Sequence, residues 1–556
     1  MGIERSMVDP LRVSRKDFVR MGGLGVAAVV LGVETSADRA FAAPRFSSNP
    51  FTLGVASGDP IPDGFVLWTR LLTAEGEMPN RQVQVRWKVA TEENMKTVVR
   101  RGEAVTGPDQ GYSVHVDVRG LKTDRDYFYT FRVGDYVSPV GRTRTTPGFG
   151  ASPAALAFAF VSCQDYQNGY YEAYGAMAEH EQDLDFVVHL GDYIYEYGPS
   201  PEAVPGREHN GPEIKTLADY RKRHALYKGD EDMREAHRLF PFIVTFDDHE
   251  VDNNYADEIP EDDQGRRAFL RRRAAAYKAY YENMPLRRSS LPQGPDMRLY
   301  RRFSYGDLAQ FSVLDTRQYR TDQPCGDGIK ERCAAALSER QTMTGPAQER
   351  WLKEGLGGSR ALWNVTAQQT MLAEYDFIAG PPEQFNMDQW DGYVAARNRL
   401  IGFLDKAGIS NPITITGDIH SSWVHDLKTD FSRPESKTVG TEFVGTSITS
   451  EFPGEFLAPV EAALVDNPHT KYFDGSYRGY VRCDVDRQQW TTIFKGVPTE
   501  PANGSVPPQA EPEAPATTMA TFVVENGQPG AVQEGPTTAG ARYEGEPAPF
   551  DPAKIN

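Results

Sequence analysis

Four apolar segments of this chain each stop abruptly on side chains that are costly to bury. LAFAFVSC (156–163) ends in Cys163, and LDFVVHLGDYIYE (184–196) delivers Asp192 and Tyr195. FIVTFDDHEVDNN (242–254) ends in Asp247, Asp248 and His249, and NPITITGDIHSS (411–422) in Asp418 and His420. Short apolar runs bounded by turn residues read as strands buried on both faces. In α/β proteins the carboxyl ends of such strands gather on one rim, where ligands bind. Unpaired carboxylates collected there would cost several kcal/mol each in desolvation and repulsion, a cost that bound cations remove. A single GD after a strand is commonplace. Four strands ending in thiol, carboxylate, phenol and imidazole indicate a cation site.

The donors fall into two chemical sets. Cys163, Tyr195 and His420 are softer, charge-donating ligands suited to a redox-capable transition metal, and a tyrosinate favours the ferric state. Asp248, Asp418 and the run Asp252, Asn253, Asn254 offer hard oxygens suited to calcium, manganese or magnesium. Asp192 lies between the sets and is the natural bridging carboxylate. His249 has two readings: general acid or orienter of a hydroxide, or a satisfied structural histidine. Arg317 and Arg320 follow another strand and read equally as a phosphate fork or as ordinary salt-bridge partners.

The surroundings are consistent with a large α/β domain over 151–495, in which the apolar strands alternate with helical stretches. Ahead of it, residues 43–147 show period-two patterning with frequent turn signals, the pattern of a small antiparallel β-sandwich. The arginine-rich helix around 266–280 reads as amphipathic with a solvated face, because Ala274, Ala275 and Tyr277 mark an apolar stripe. Residues 496–556 are rich in Pro, Gly and Ala and read as a tail with one candidate strand, ATFVVEN. Residues 1–42 have the form of an export signal: basic SRKDFVR, the short apolar stretch Met21–Val33, and small residues at Ala40 and Ala42 before a cleavage point. Ser14-Arg15-Lys16 resembles a twin-arginine signal with lysine in place of the second arginine. A secreted, extracellular protein is expected, and in that oxidising setting Cys325 and Cys333, eight residues apart, are the expected disulfide. A net charge of −18 excludes nucleic acid as a partner and leaves only peripheral membrane contact through a substrate. A monomer is expected.

The order GD-x-x-Y, D-D-H-E, GD-x-H resembles the metallophosphoesterase superfamily, and in particular the PhoD-type alkaline phosphatases and phosphodiesterases. SCQD (162–165), VLDTRQYR (313–320), GPAQERWL (345–352) and DQWDGY (388–393) extend the likeness, which runs from about Pro50 to residue 485. The family also contains a secreted phospholipase D unrelated to the HKD phospholipases. The resemblance implies an α/β metallophosphoesterase four-layer sandwich with an N-terminal β-sandwich domain. It implies Fe3+ on Cys163, Asp192, Tyr195 and His420, and Ca2+ on Asp192, Asp248, Asn253 and Asp418, with Mn2+ or Mg2+ also fitting the calcium positions. Catalysis would involve His249 and Asp192, and Arg317 and Arg320 would bind substrate. The expected activity is phosphoester hydrolysis by a hydroxide generated at the metals, as a phosphodiesterase able to act as a phospholipase D on head groups such as that of phosphatidylcholine. The alternatives are a PhoD-type alkaline phosphatase acting on monoesters and small diesters, and a non-catalytic calcium-binding secreted protein. The nearest approach to an HKD motif, His469-Thr470-Lys471, has Ser476 where the aspartate belongs and no second copy exists. Any phospholipase D activity should therefore proceed without a covalent phosphohistidine and transfer little to added alcohols.

Overall fold

The computed structural model describes residues 46–261, 264–498 and 516–535. The export signal and most of the expected tail lie outside these residues. Three of the four ligand-bearing segments begin as adjacent parallel strands, Ala155–Val161, Phe186–His189 and Pro241–Val244, at the centre of a ten-stranded sheet. The fourth, Pro412–Thr416, lies in a seven-stranded sheet, parallel to Trp363–Ala367, which pairs in turn with Ala309–Val313.

Alternation along each strand sends every second side chain to a different layer. Phe158, Phe160, Phe186, Val188 and Ile243 face the second sheet, where they pack with Phe311, Val313, Val365, Ile413 and Ile415 in one core. Phe158 meets Phe311 edge-on across the two sheets, centroids 5.2 Å apart. Ala159, Val161, Val187, Phe242 and Val244 point the other way and pack under helices Glu172–His180, Leu217–Tyr227, Glu231–Leu239 and Arg266–Asn283. Helices Gly345–Gly357 and Val394–Lys406 cover the far face of the second sheet through Leu352, Leu356, Leu400 and Leu404. The result is helix, sheet, sheet, helix, the expected four-layer α/β sandwich. Burial on both faces explains why the strands read as unbroken apolar runs.

The β-rich segment ahead of this core is a sandwich with a shared layer. Strands Val83–Ala90, Val98–Thr106, Arg125–Val133, Tyr136–Val137 and Gly141–Thr145 form a separate sheet. The opposing strands Val55–Ile61, Gly64–Arg70 and Ser113–Val118 extend the ten-stranded sheet, joined to it where Ser57 and Gly58 pair with Pro241 and Phe242. Val55, Phe65, Leu67 and Val114 pack against Val85, Val89, Tyr129 and Phe131 between the two layers. At the other edge, residue 495 falls inside the strand Gln489–Pro498, and Thr517–Glu525 returns alongside it, burying Met519, Ala520, Phe522 and Val524. The ATFVVEN segment is thus a working strand of the main sheet.

Two other expectations meet the structure. Cys325 and Cys333 are joined in a disulfide. The helix Arg266–Asn283 departs from a simple amphipathic pattern. Arg266, Arg267 and Arg271 are exposed, but Arg272 and Arg273 are buried, and Arg272 donates to Asp252 Oδ1 at 2.6 Å. Period alone cannot distinguish an arginine in water from one recruited inward by a buried carboxylate.

Candidate metal centre

Three of the four ligand-bearing segments change direction sharply at the shared rim. Cys163, Asp192, Asp418 and His420 adopt positive φ, at 57°, 56°, 67° and 53°. Non-glycine residues seldom sit in that region, and the strain of doing so concentrates at functional sites. The two GD glycines have a packing reason. A Cβ on Gly191, whose φ is 124°, would lie 2.5 Å from Asp247 Cβ, and one on Gly417 would lie 2.5 Å from Ser162 Oγ. Only hydrogen at these positions lets the strand ends close on one another.

The rim gathers the residues singled out above into three overlapping groups whose ligand atoms lie within 4.8 Å of one another: Cys163, Asp192, His420; Asp192, Asp248, His249; and Asp247, Asp248, Asp418. Asp192 belongs to the first two and Asp248 to the last two. Tyr195 joins the first group, its Oη donating to Asp192 Oδ2 at 3.2 Å and lying 3.1 Å from His420 Nε2. His420 Nδ1 faces the Glu451 carbonyl at 3.0 Å. A carbonyl only accepts, so Nδ1 carries the hydrogen and Nε2 presents its lone pair to the group. Burial, foremost, lowers the His420 pKa to about 3, keeping the imidazole neutral as a ligand must be.

The donor chemistry fits bound cations. Asp192 Oδ1 and Asn253 Oδ1 are buried without a hydrogen-bond partner, a costly arrangement for oxygens with nothing else to meet. Burial, reinforced by Asp192, pushes the Cys163 thiol well up, and burial pushes Asp192 well above the carboxylate range. A cation among these groups reverses both tendencies. Within the DNN run the side chains differ in commitment. Asp252 is engaged by Arg272 and by Gln264 Nε2 at 2.7 Å. Asn253 uses its Nδ2 on Glu261 at 2.7 Å, which leaves Oδ1 over. Asn254 donates its backbone N–H to Asp248 Oδ2 at 2.6 Å and braces that ligand.

His249 stacks on Tyr195 with centroids 4.1 Å apart, and its Nδ1 lies 2.8 Å from Glu196 Oε2. Burial lowers its pKa, but the charges of Glu196, Asp192 and Asp248 together raise it well above the ordinary value. Glu196, quoted in the sequence only as part of a motif, is therefore an orienting partner that spacing did not reveal.

Arg317 and Arg320 are both buried. Arg317 is shared among carboxylates: Nε donates to Asp247, Nη2 to Asp418, and Nη1 to Asp388 Oδ2 at 2.7 Å. Asp248 lies 3.7 Å from the same Nη1. Burial would raise the Asp248 pKa, yet Arg317 and His249 outweigh it and hold the carboxyl below its usual range. Arg320 pairs with Asp388 at 2.7 Å and donates to the Asn254 carbonyl. Three other motif residues brace this arginine and its partners. Asp315 accepts the Arg317 N–H, Gln348 braces Asp315 on both sides of its peptide, and Gln389 donates to Asp418. Asp247, at a strand end in the sequence but without an assigned role there, stands inside the third group.

Comparison with known proteins agrees with this geometry. The PhoD-like phosphatase family matches residues 158–494, and the PhoD-like phosphatase N-terminal domain matches residues 35–147. The chain belongs to the PhoD-like phosphatase family. It is 47% identical over 535 residues to alkaline phosphatase D of Bacillus subtilis (strain 168), covering 94% of this chain and 90% of that protein. A solved structure of PhoD superposes with a TM-score of 0.84 at 47% identity, covering 89% of this chain and 94% of that one. As a PhoD-like phosphatase the protein is a phosphoric ester hydrolase, and its rim carries residue groups able to hold metal ions. Among the described residues no helix is long and apolar enough to cross a membrane.

Proposed function

We propose that the protein is a secreted, monomeric phosphodiesterase of the alkaline phosphatase D type that uses a ferric ion and calcium and accepts phospholipid head groups among its substrates. The observation that carries this reading is the sharing of Asp192 and Asp248 between successive ligand groups, which lines up adjacent cation positions on one rim. Cys163, Asp192, Tyr195 and His420 would hold the ferric ion; Asp192, Asp248, Asn253 and Asp418 would hold calcium, with Asp247 beside them. Bound there, the cations supply acidity to a water and neutralise charge on phosphoryl oxygens.

The chain's own groups do the rest. Glu196 holds His249 through Nδ1, so proton exchange with a leaving oxygen runs through Nε2. Arg317 offsets the charge of the carboxylate cluster and fixes its spacing, and Arg320 positions Asp388 and the Asn254 turn. Both arginines act through the ligands in this reading. Residues 1–42 would direct export.

The test assays the purified protein on phosphatidylcholine and on an aryl phosphate, with and without a calcium chelator, alongside elemental analysis. Choline release and aryl phosphate turnover that both vanish on chelation, with iron present, support the reading. Aryl phosphate turnover alone narrows the protein to the phosphatase. Chelation-resistant activity removes calcium from the mechanism, and stoichiometric zinc without iron overturns the metal assignment. Abundant phosphatidyl-alcohol from added primary alcohol would count against direct hydrolysis.

A further inference from the structure

Glu250 follows two residues behind Asp248, is 1% exposed, and pairs with no basic side chain among the described residues. Its partners are three backbone amides. Oε2 accepts the Asp247 N–H at 2.8 Å and the Asp192 N–H at 3.1 Å, and Oε1 accepts the Tyr193 N–H at 2.6 Å. A single carboxylate oxygen therefore ties the turn bearing Asp192 to the turn bearing Asp247 and Asp248. These two turns supply the carboxylates shared between neighbouring ligand groups, so the clamp governs the distance between cation positions.

We propose that Glu250 is a positioning residue that fixes the separation of Asp192 from Asp248 and thereby sets the affinity of the calcium position. This rests on the metal-centre reading given above. A carboxylate side chain suits the task because both of its oxygens can accept, and three N–H groups point at them. Glutamine has the same shape but one accepting oxygen; whichever way it turns, an NH2 faces at least one N–H donor. Loss of an outer partner of this kind typically weakens metal binding roughly 10- to 100-fold. A comparable carboxylate serves as an internal control. Glu442, also fully buried, accepts the Leu372 and Ala373 N–H groups at 2.8 and 2.7 Å and the Thr416 hydroxyl at 2.7 Å, none of which belongs to a ligand residue.

The experiment compares the full-length wild type, E250Q, E250D and E442Q. It measures calcium binding by calorimetry, iron by elemental analysis, and activity against free calcium. E250Q should retain iron but need at least about tenfold more calcium for half-saturation, with activity recovering at saturating calcium. E250D should shift in the same direction by less, and it carries the measurement if E250Q does not fold. E442Q should lose thermal stability with its calcium dependence within about twofold of wild type. Wild-type calcium affinity in E250Q and E250D, an equal shift in E442Q, or loss of iron together with calcium would each overturn the proposal. Wild-type protein that binds neither iron nor calcium would instead overturn the underlying metal-centre reading, and this proposal with it.

Discussion

Glu196 Oε2 and His249 Nδ1 are 2.8 Å apart, both buried, and the other Glu196 oxygen accepts the Asn253 N–H at 2.8 Å. One carboxylate thus orients the histidine and anchors the turn that carries a ligand. Glu196→Gln keeps the anchor and removes the charge that favours the imidazolium. If His249 donates the proton to the leaving oxygen, kcat should fall roughly 10- to 100-fold for an alkyl ester and by less than about threefold for a nitrophenyl ester, whose departure needs no proton. Equal losses on both substrates would confine His249 to a structural role.

Arg317 bridges Asp247, Asp248 and Asp418. Arg317→Met should therefore destabilise metal-free protein by about 3–5 kcal/mol, the cost of removing one partner from buried ion pairs. Millimolar calcium should restore more of the melting temperature in the variant than in the wild type, since the added charge replaces the one removed. Thermal unfolding with and without calcium measures both effects.

Gly191→Ala should disturb the site through geometry alone. The new Cβ meets Asp247 at 2.5 Å and must adopt φ near 124°. A loss of about 1–3 kcal/mol in stability is expected, accompanied by reduced metal content because the Asp192 and Asp247 turns move apart. Full metal loading in the variant would show that the turns tolerate the displacement.

Lys228 is buried, donates to Tyr193 Oη at 2.9 Å, and lies over the Trp68 and Tyr193 rings with no carboxylate partner among the described residues. Burial, helped by Arg70, lowers its pKa from 10.5 to about 7. Between those values the unfolded chain binds the proton and the folded protein does not. Stability contributed by this residue should consequently rise with pH from about 7 to 10.5, by up to about 1.4 kcal/mol per pH unit. Denaturant unfolding at pH 7, 8 and 9 should show a shallower rise in Lys228→Met than in the wild type.

By itself the sequence determined the strands and their chemical endings, because apolar runs closed by GD, DDH and SC can be recognised locally. It also determined the alternation of strand and helix that makes the domain α/β, and the Cys325–Cys333 pairing. Only the tertiary structure decided that Asp248, beside Asp192, belongs to two ligand groups. The distance between Asp192 and Asp248 depends on strands pairing in register and on glycines allowing their ends to touch. The same is true of Arg317, whose sequence neighbourhood reads equally as a phosphate fork or a salt-bridge partner, while its burial commits it to four carboxylates. Asp252 and Asn253 are adjacent in the chain, yet one is claimed by Arg272 from the helix Arg266–Asn283 and the other keeps an unpartnered oxygen. The roles of Glu196 and Glu250 carry no local signal, since a hydrogen bond between residues on different turns exists only once the turns have been brought together by the packed sheets.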